Sequence, residues 1–312
     1  MHIVKEATTS SRIEGTRTEV EEALLKRDEI APEKRDDWQE VQNYIRAMNH
    51  AIKRLKDVPV STRLLKEAHE ILMTGVRGRS KHPGEYRSSQ NWIGGTTIDD
   101  AVYIPPHHGE VGELMGDLEK FLHNDLIDVP DLIRIAIAHY QFESIHPFLD
   151  GNGRVGRLLI TLYLVSKGVL ARPTLYLSDF FERHRSLYYD NLMRVRTHND
   201  ILHWVKFFLV AVLETSKKGI TTFQKILKLK EEVERKRIIT LGRKVPRGLA
   251  LLNFLYRNPS ISVREVQQAL RVTPKTANEL VNDFVRLKIL REITGGQRNR
   301  LFQFSEYLRL FR

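Results

Sequence analysis

The sequence contains no cysteine. That removes disulfides, thiolate metal sites and cysteine nucleophiles together, and it agrees with a reducing compartment. Long apolar runs are also missing. The longest, around residues 132–138 and 207–213, fall well short of the ~20 residues a membrane span needs. Residues 1–14 mix polar and charged side chains, so no secretory signal stands out and a cytoplasmic location is expected. Internal repeats and low-complexity tracts are lacking too.

What remains is a chain of 312 residues, 41% of them hydrophobic, enough for real cores. A prior of ~150 residues per domain suggests two. Charge divides the chain unequally. Residues 217–312 hold 22 Lys+Arg against 8 Asp+Glu, a net +14, while the rest carries −3. A basic C-terminal third attracts polyanions, nucleic acid first; the plainer reading is a solvated basic face.

Apolar spacing predicts a mainly helical chain. Helices are expected over 36–55, 62–72 (with Ser61 or Thr62 as cap), 110–122, 130–144, 154–165, 183–196 and 202–213. Residues 81–106 break the pattern with Gly84, Gly94, Gly95, Pro105 and Pro106, which predicts a hairpin or irregular flap. A charged segment, 217–241, leads to a boundary near Gly242, Pro246 and Gly248. Beyond it, helices over 249–256, 263–270 and 273–288 are followed by strand-like runs, 289–293 and 301–304, around a basic tip. Three helices and a hairpin predict a winged helix-turn-helix.

The chemistry concentrates between two of these helices, in His146-Pro147-Phe148-Leu149-Asp150-Gly151-Asn152-Gly153-Arg154-Val155-Gly156-Arg157. Gly151-Asn152-Gly153 can aim successive amide N–H groups inward at a helix start, which suits phosphate. Arg154 and Arg157, three apart, project from one face and can donate to a polyphosphate. Asp150 is a hard oxygen ligand suited to Mg²⁺. His146 can take a proton near neutral pH, and Phe148 anchors the loop. Each feature alone has an ordinary structural explanation. Gathered within one loop, they are the parts needed to transfer a phosphate-linked group.

This segment resembles the Fic signature, His-Pro-Phe-x-Asp/Glu-Gly-Asn-Gly-Arg-x-x-Arg, at every fixed position. The resemblance extends over roughly residues 5–213. It implies a helical enzyme that moves AMP from ATP onto a hydroxyl of a target protein, Tyr, Ser or Thr, with Mg²⁺ as cofactor. It implies His146 as catalytic base, Asp150 on the metal, and Gly151, Asn152, Gly153, Arg154, Val155, Gly156 and Arg157 around ATP. Gly153 stands where related Doc kinases carry lysine, which favours AMP transfer over phosphate transfer. Residues 86–106 look like the Fic flap, which holds the target segment by strand-like pairing; Ile93, Gly94, Gly95 and Thr96 would border the nucleotide. Tyr188 and Tyr189 resemble the wall of the adenine site, Arg196 a polar contact to the base. Ordinary helix core explains one of those tyrosines equally well.

Near the N-terminus, Ser10-Ser11-Arg12-Ile13-Glu14-Gly15 resembles the Fic inhibitory motif. Ser10, Glu14 and Gly15 match it, and the resemblance implies a Glu14 carboxylate paired bidentately with Arg157. The expected organisation is an N-terminal helical region with that motif over 1–55, a catalytic core over 56–215, a basic helix and linker over 216–247, and a winged helix over 248–312. Removal of AMP from a target is an alternative, as is a DNA-binding regulator with a Fic-like sensor. For the latter, Lys275, Asn278, Gln297, Arg298 and Arg300 are the candidate DNA or partner contacts. A homodimer and self-modification are further expectations. A metal hydrolase using His107, His108, His139 and His146 is disfavoured, because no pair has helical zinc-ligand spacing.

Overall fold

The computed structural model describes residues 1–75, 81–295 and 300–311. The chain divides into two compact units: residues 2–19 with 31–216, and residue 1 with 20–30 and 217–312.

The first unit is helical. In order it holds α1 (His2–Ile13), α2 (Arg35–Arg54), α3 (Thr62–Leu72), α4 (Val111–Leu122), α5 (Asp131–Ile145), α6 (Asn152–Ser166), α7 (Leu177–Arg183) and α8 (Arg185–His198), then the start of α9 (Ile201–Glu232). Helix α6 is its centre. Its run Leu158-Leu159-Ile160 is at most 1% exposed, as expected of a helix apolar on every side. It packs against α5, while α1 lies on α2, α6 and α7. Ser61 caps α3 by accepting the Leu64 N–H at 3.3 Å.

The expected flap is present only as a single antiparallel bridge, Ile93 with Tyr103. Gly94 and Gly95 have φ of 72° and 71° and turn the chain immediately after Ile93, so no ladder can propagate. Asp100 closes that turn by accepting the N–H of Thr96 at 3.0 Å and of Thr97 at 2.6 Å. The expectation of a helix over 202–213 is too short. The charged segment that follows continues it, so that α9 runs to Glu232 and the boundary between the units falls within it. The helix expected over 183–196 is α8; α7, which ends just before it at Arg183, was not expected.

The second unit builds α10 (Val245–Leu255), α11 (Val263–Leu270), α12 (Pro274–Arg286) and α13 (Ser305–Arg309) around Leu252, Phe284, Phe302 and Phe304, all fully buried. Ser262 and Glu265 form a capping box on α11, and Thr273 with Pro274 opens α12. A three-stranded antiparallel sheet has the order β1 (Ser260–Ser262), β3 (Leu301–Gln303), β2 (Arg291–Glu292). Sequence pattern missed β1, whose three residues are too few for a visible alternation. Lys26 joins this unit through an ion pair with Glu265 at 2.9 Å.

Candidate active site

Helix α5 ends at His146, which adopts the left-handed conformation (φ 49°, ψ 61°) and donates its N–H to the Phe142 carbonyl at 3.0 Å. This reversal throws the chain into the loop 147–151, and Gly151 (φ 79°) starts α6. The loop is held by side chains that clasp its backbone. Asn152 accepts the Phe148 N–H and donates to the Phe148 carbonyl, both at 2.8 Å. His69 Nε2 donates to the Asp150 carbonyl at 3.0 Å, while its Nδ1 accepts the Gly84 N–H at 2.9 Å. The His69 ring stacks on Phe148 at 3.8 Å. Arg87 donates to the carbonyls of His146 (3.0 Å) and Pro106 (2.5 Å), and Asn91 to that of Phe148 (3.0 Å). Phe148 itself is fully buried, as the sequence suggested.

The result is a pre-shaped loop with a histidine at one end and a helix N-terminus at the other. His146 Nδ1 is buried with no hydrogen-bond partner among the described residues. Burial pushes its imidazole down to about 4, so it is neutral at pH 7 and able to accept a proton.

A cavity of ≈ 280 Å³ opens beside it. From the predicted nucleotide residues it gathers Ile93, Gly94, Gly153, Arg157, Tyr188, Tyr189 and Arg196, with His146 and Glu14. Tyr188 is buried and donates to His139 Nε2 at 2.9 Å, whose Nδ1 in turn donates to the Gly156 carbonyl at 3.0 Å. Both ring nitrogens of His139 are thus committed. Tyr189 keeps 37% exposure, so both tyrosines line the cavity but only Tyr188 is also core. Arg196 stacks over Tyr103 at 3.7 Å and donates to the Glu143 carbonyl at 3.1 Å, tying α8 to the flap and to the end of α5.

Arg154 and Arg157 do not act as a pair on one face. Arg157 is buried and donates from Nη2 to Glu14 Oε1 at 2.5 Å, and to Ser10 through Nε–Oγ (2.8 Å) and Nη2–O (3.0 Å). Its contact with Glu14 is a single hydrogen bond, in place of the expected bidentate fork; the remaining donation goes to Ser10. Burial opposes both charges. Arg157 still holds Glu14 below the usual carboxylate range, and Glu14 holds Arg157 above its ordinary value. Arg154 instead pairs with Glu40 at 3.1 Å and stands 3.7 Å from Asp150. With Asp150 and Glu40 it lines a second cavity of ≈ 200 Å³. Glu14 borders both cavities. Gly15 (φ 104°) follows Glu14 just past the end of α1, donating its N–H to the Arg12 carbonyl at 3.0 Å.

Among the other predicted residues, Val155 is core and Gly156 sits against the Glu143 carboxyl, where a Cβ would collide. Gly95 and Thr96 lie in the exposed flap turn, outside the lining of either cavity. Lys275 and Asn278 are exposed on α12, and Arg300 pairs with Glu292 at 2.5 Å. Gln297 and Arg298 lie outside the described residues. Sequence reasoning missed His69, Arg87, Asn91, Glu40 and Glu143. Each sits among other polar residues, so nothing local singles it out; Glu143 alone carried a signal, being three residues from His146 on the helix that leads into the loop.

Two family models match the chain: the Fic/DOC family over residues 59–164 and the Fic/DOC family N-terminal model over 1–53. The protein adenylyltransferase Fic of Aedes aegypti is 28% identical over 190 residues, which are 61% of this chain and 34% of that protein. The one from Culex quinquefasciatus is 36% identical over 125 residues, 40% of this chain and 22% of that protein. The matched part therefore spans about a third or less of these curated relatives. Among solved structures, a Fic family protein from Desulfovibrio desulfuricans G20 superposes with TM-score 0.61 at 23% identity, covering 97% of this chain and 86% of that one. A Fic domain containing signaling protein from Bacteroides thetaiotaomicron VPI-5482 gives 0.57 at 20% identity, with coverages of 70% and 85%. These two likenesses concern the fold. The chain carries a Fic/DOC family domain, residues 59–164, behind the family's own N-terminal domain, residues 1–53.

Proposed function

We propose that this chain is a protein adenylyltransferase, moving AMP from ATP to a Tyr, Ser or Thr hydroxyl of a target protein, and that Glu14 restrains it. One observation carries the reading: a neutral His146, whose Nδ1 has no hydrogen-bond partner among the described residues, shares a cavity with Gly153 and with an Arg157 already gripping a carboxylate. His146 takes the proton of the target hydroxyl. The oxygen so freed attacks the α-phosphorus of ATP, the bond from that phosphorus to the bridging oxygen breaks, and pyrophosphate leaves. Backbone N–H groups at the start of α6 face the phosphates, and Arg157 offsets the charge on the leaving group. Arg196 and the tyrosines border the base. Ile93 and Tyr103 offer the flap edge to the target backbone.

Asp150 would hold Mg²⁺. Its side chain is 47% exposed on a cavity, its Oδ1 accepts the Gly151 N–H at 2.5 Å, and its Oδ2 makes no hydrogen bond among the described residues. One free hard oxygen fits an ion that completes its shell with phosphate oxygens and water. When bound, Mg²⁺ supplies charge neutralisation at the phosphates.

With Glu14 on Arg157, a γ-phosphate meets a carboxylate where it needs a cation, and ATP is displaced from in-line geometry. Intact-mass analysis of the Glu14→Gly chain with ATP and Mg²⁺ tests the whole reading. A gain of one adenylyl group, abolished by His146→Ala, is the expected result. A phosphate-sized gain would indicate kinase chemistry instead.

The second unit supports a winged-helix reading through its order α10, β1, α11, α12, β2, β3. Lys275 and Asn278 on the exposed face of α12, with the +14 charge of 217–312, favour a polyanion-facing role. Retention of duplex DNA by the full chain, lost steeply with added salt, is the expected outcome; no shift at low salt would leave this unit a protein-contact module.

A further inference from the structure

Glu143 has no part in the mechanism above. It lies on α5 three residues before His146, is 6% exposed, and its Oε1 is buried without a hydrogen-bond partner among the described residues. It lines the same cavity as Arg157, Glu14 and His146. The absence of a Cβ at Gly156 is what admits its carboxyl against α6. A buried carboxyl oxygen without a hydrogen bond costs free energy, so its retention calls for an explanation. Of the charges acting on it, that of Arg157 is the strongest. That guanidinium engages Ser10 and Glu14 through Nε and Nη2, and its Nη1 makes no hydrogen bond among the described residues.

We infer that Glu143 is a reserve counter-charge for Arg157, a positioning residue that balances the guanidinium while Glu14 is withdrawn and no phosphate has yet arrived. The consequence for nucleotide rests on the adenylyl-transfer reading; the exchange of counter-charge does not. Burial pushes the Glu143 carboxyl up to about 7. Arg157 and Arg196 pull it down, and Glu14 pushes it further up. Tyr188 and Tyr189 on α8 and His146 at the end of α5 complete the titratable groups facing it. With Glu14 in place, Arg157 is already neutralised and Glu143 keeps its proton up to about pH 7. When Glu14 leaves, the repulsion disappears, Glu143 releases that proton to solvent, and its carboxylate turns to Arg157. Arg157 thus keeps one counter-charge throughout: the Glu14 carboxylate in the first state, the Glu143 carboxylate in the second. A phosphate entering in place of Glu14 reverses the exchange, and Glu143 takes a proton back.

The first test needs no nucleotide. In the full chain labelled with ¹³C at glutamate carboxyls, the Glu143 resonance, assigned with Glu143→Gln, is titrated with Glu14 intact and in Glu14→Gln. A midpoint lower by about one pH unit or more in Glu14→Gln is expected, as for removal of a like charge at close range. An unchanged midpoint overturns the inference. The second test measures proton uptake when ATP binds the Glu14→Gly chain, by calorimetry at pH 7 in two buffers of different ionisation heat. Uptake that vanishes in Glu14→Gly/Glu143→Gln supports the exchange, and ATP binding without uptake refutes it. Failure to bind ATP at all would sink the adenylyl-transfer reading, while the carboxyl titration would still decide the role of Glu143.

Discussion

Replacing Glu14 by glycine removes one charge-assisted hydrogen bond to a buried guanidinium. Such bonds contribute about 1.5–3 kcal/mol net. The Glu14 side chain is 32% exposed, so water screens part of this and ~1–2 kcal/mol is the better figure. A phosphate no longer has to displace that contact. At about 1.4 kcal/mol per tenfold, the rate of self-modification should rise roughly 5- to 30-fold. The same change removes that bond from the fold and lowers stability by up to ~1–2 kcal/mol, less whatever a Glu143 carboxylate returns to Arg157. Both sides are measurable on one preparation: incorporation of α-labelled ATP over time, and the thermal midpoint. A lowered midpoint with an unchanged rate would mean that Glu14 and Arg157 form a structural ion pair only, and the restraint would have to be abandoned.

His139 is fully buried, and burial pushes its imidazole down to about 3, so the fold keeps it neutral while the unfolded chain protonates it from ~6.5 downward. The stability it confers is complete above ~6.5 and is lost as pH falls toward 3, at a limiting slope of about 1.4 kcal/mol per pH unit; thermal midpoints between pH 4 and 7 should decline less steeply in His139→Gln. Arg87→Lys keeps the charge but loses the fork that reaches the His146 and Pro106 carbonyls; about a tenfold slower adenylyl transfer is expected with ATP affinity nearly unchanged, and equal losses in both would refute a role in placing His146. Asn152→Ala strands the buried Phe148 N–H and should cost ~2–3 kcal/mol by denaturant titration.

Much of the site was legible because it is contiguous. Residues 146–157 carry their turn, nest and cations in one stretch, and the chain places them as one loop and one helix start. What was illegible comes from elsewhere in the chain. Arg87, Asn91 and His69 act by hydrogen-bonding backbone carbonyls and amides, and any segment offers those, so no pattern marks them. The divergence of Arg154 from Arg157 was hidden for the same reason: it depends on Glu40, a residue of α2 far away in sequence. Helix α1 was legible only as a six-residue motif, since its seat is largely polar and leaves little periodicity to read. In the second unit, α11 and α12 were legible from apolar spacing, whereas β1 has no local signal and is a strand through its pairing with β3.

That polar seat of α1 has a consequence of its own. The side chains it buries are Lys5, Glu6, Thr8, Thr9, Ser10 and Ser11, with only Ala7 and Ile13 as apolar company. Lys5 is met by Asp179 at 3.0 Å, and Glu6 by Ser178. A helix docked by directional bonds, with so little oily surface, swaps partners for water when it lifts away. Of its own buried side chains, lifting it would wet only Ala7 and Ile13 as oily ones, which keeps the hydrophobic cost of release and re-docking low on that side.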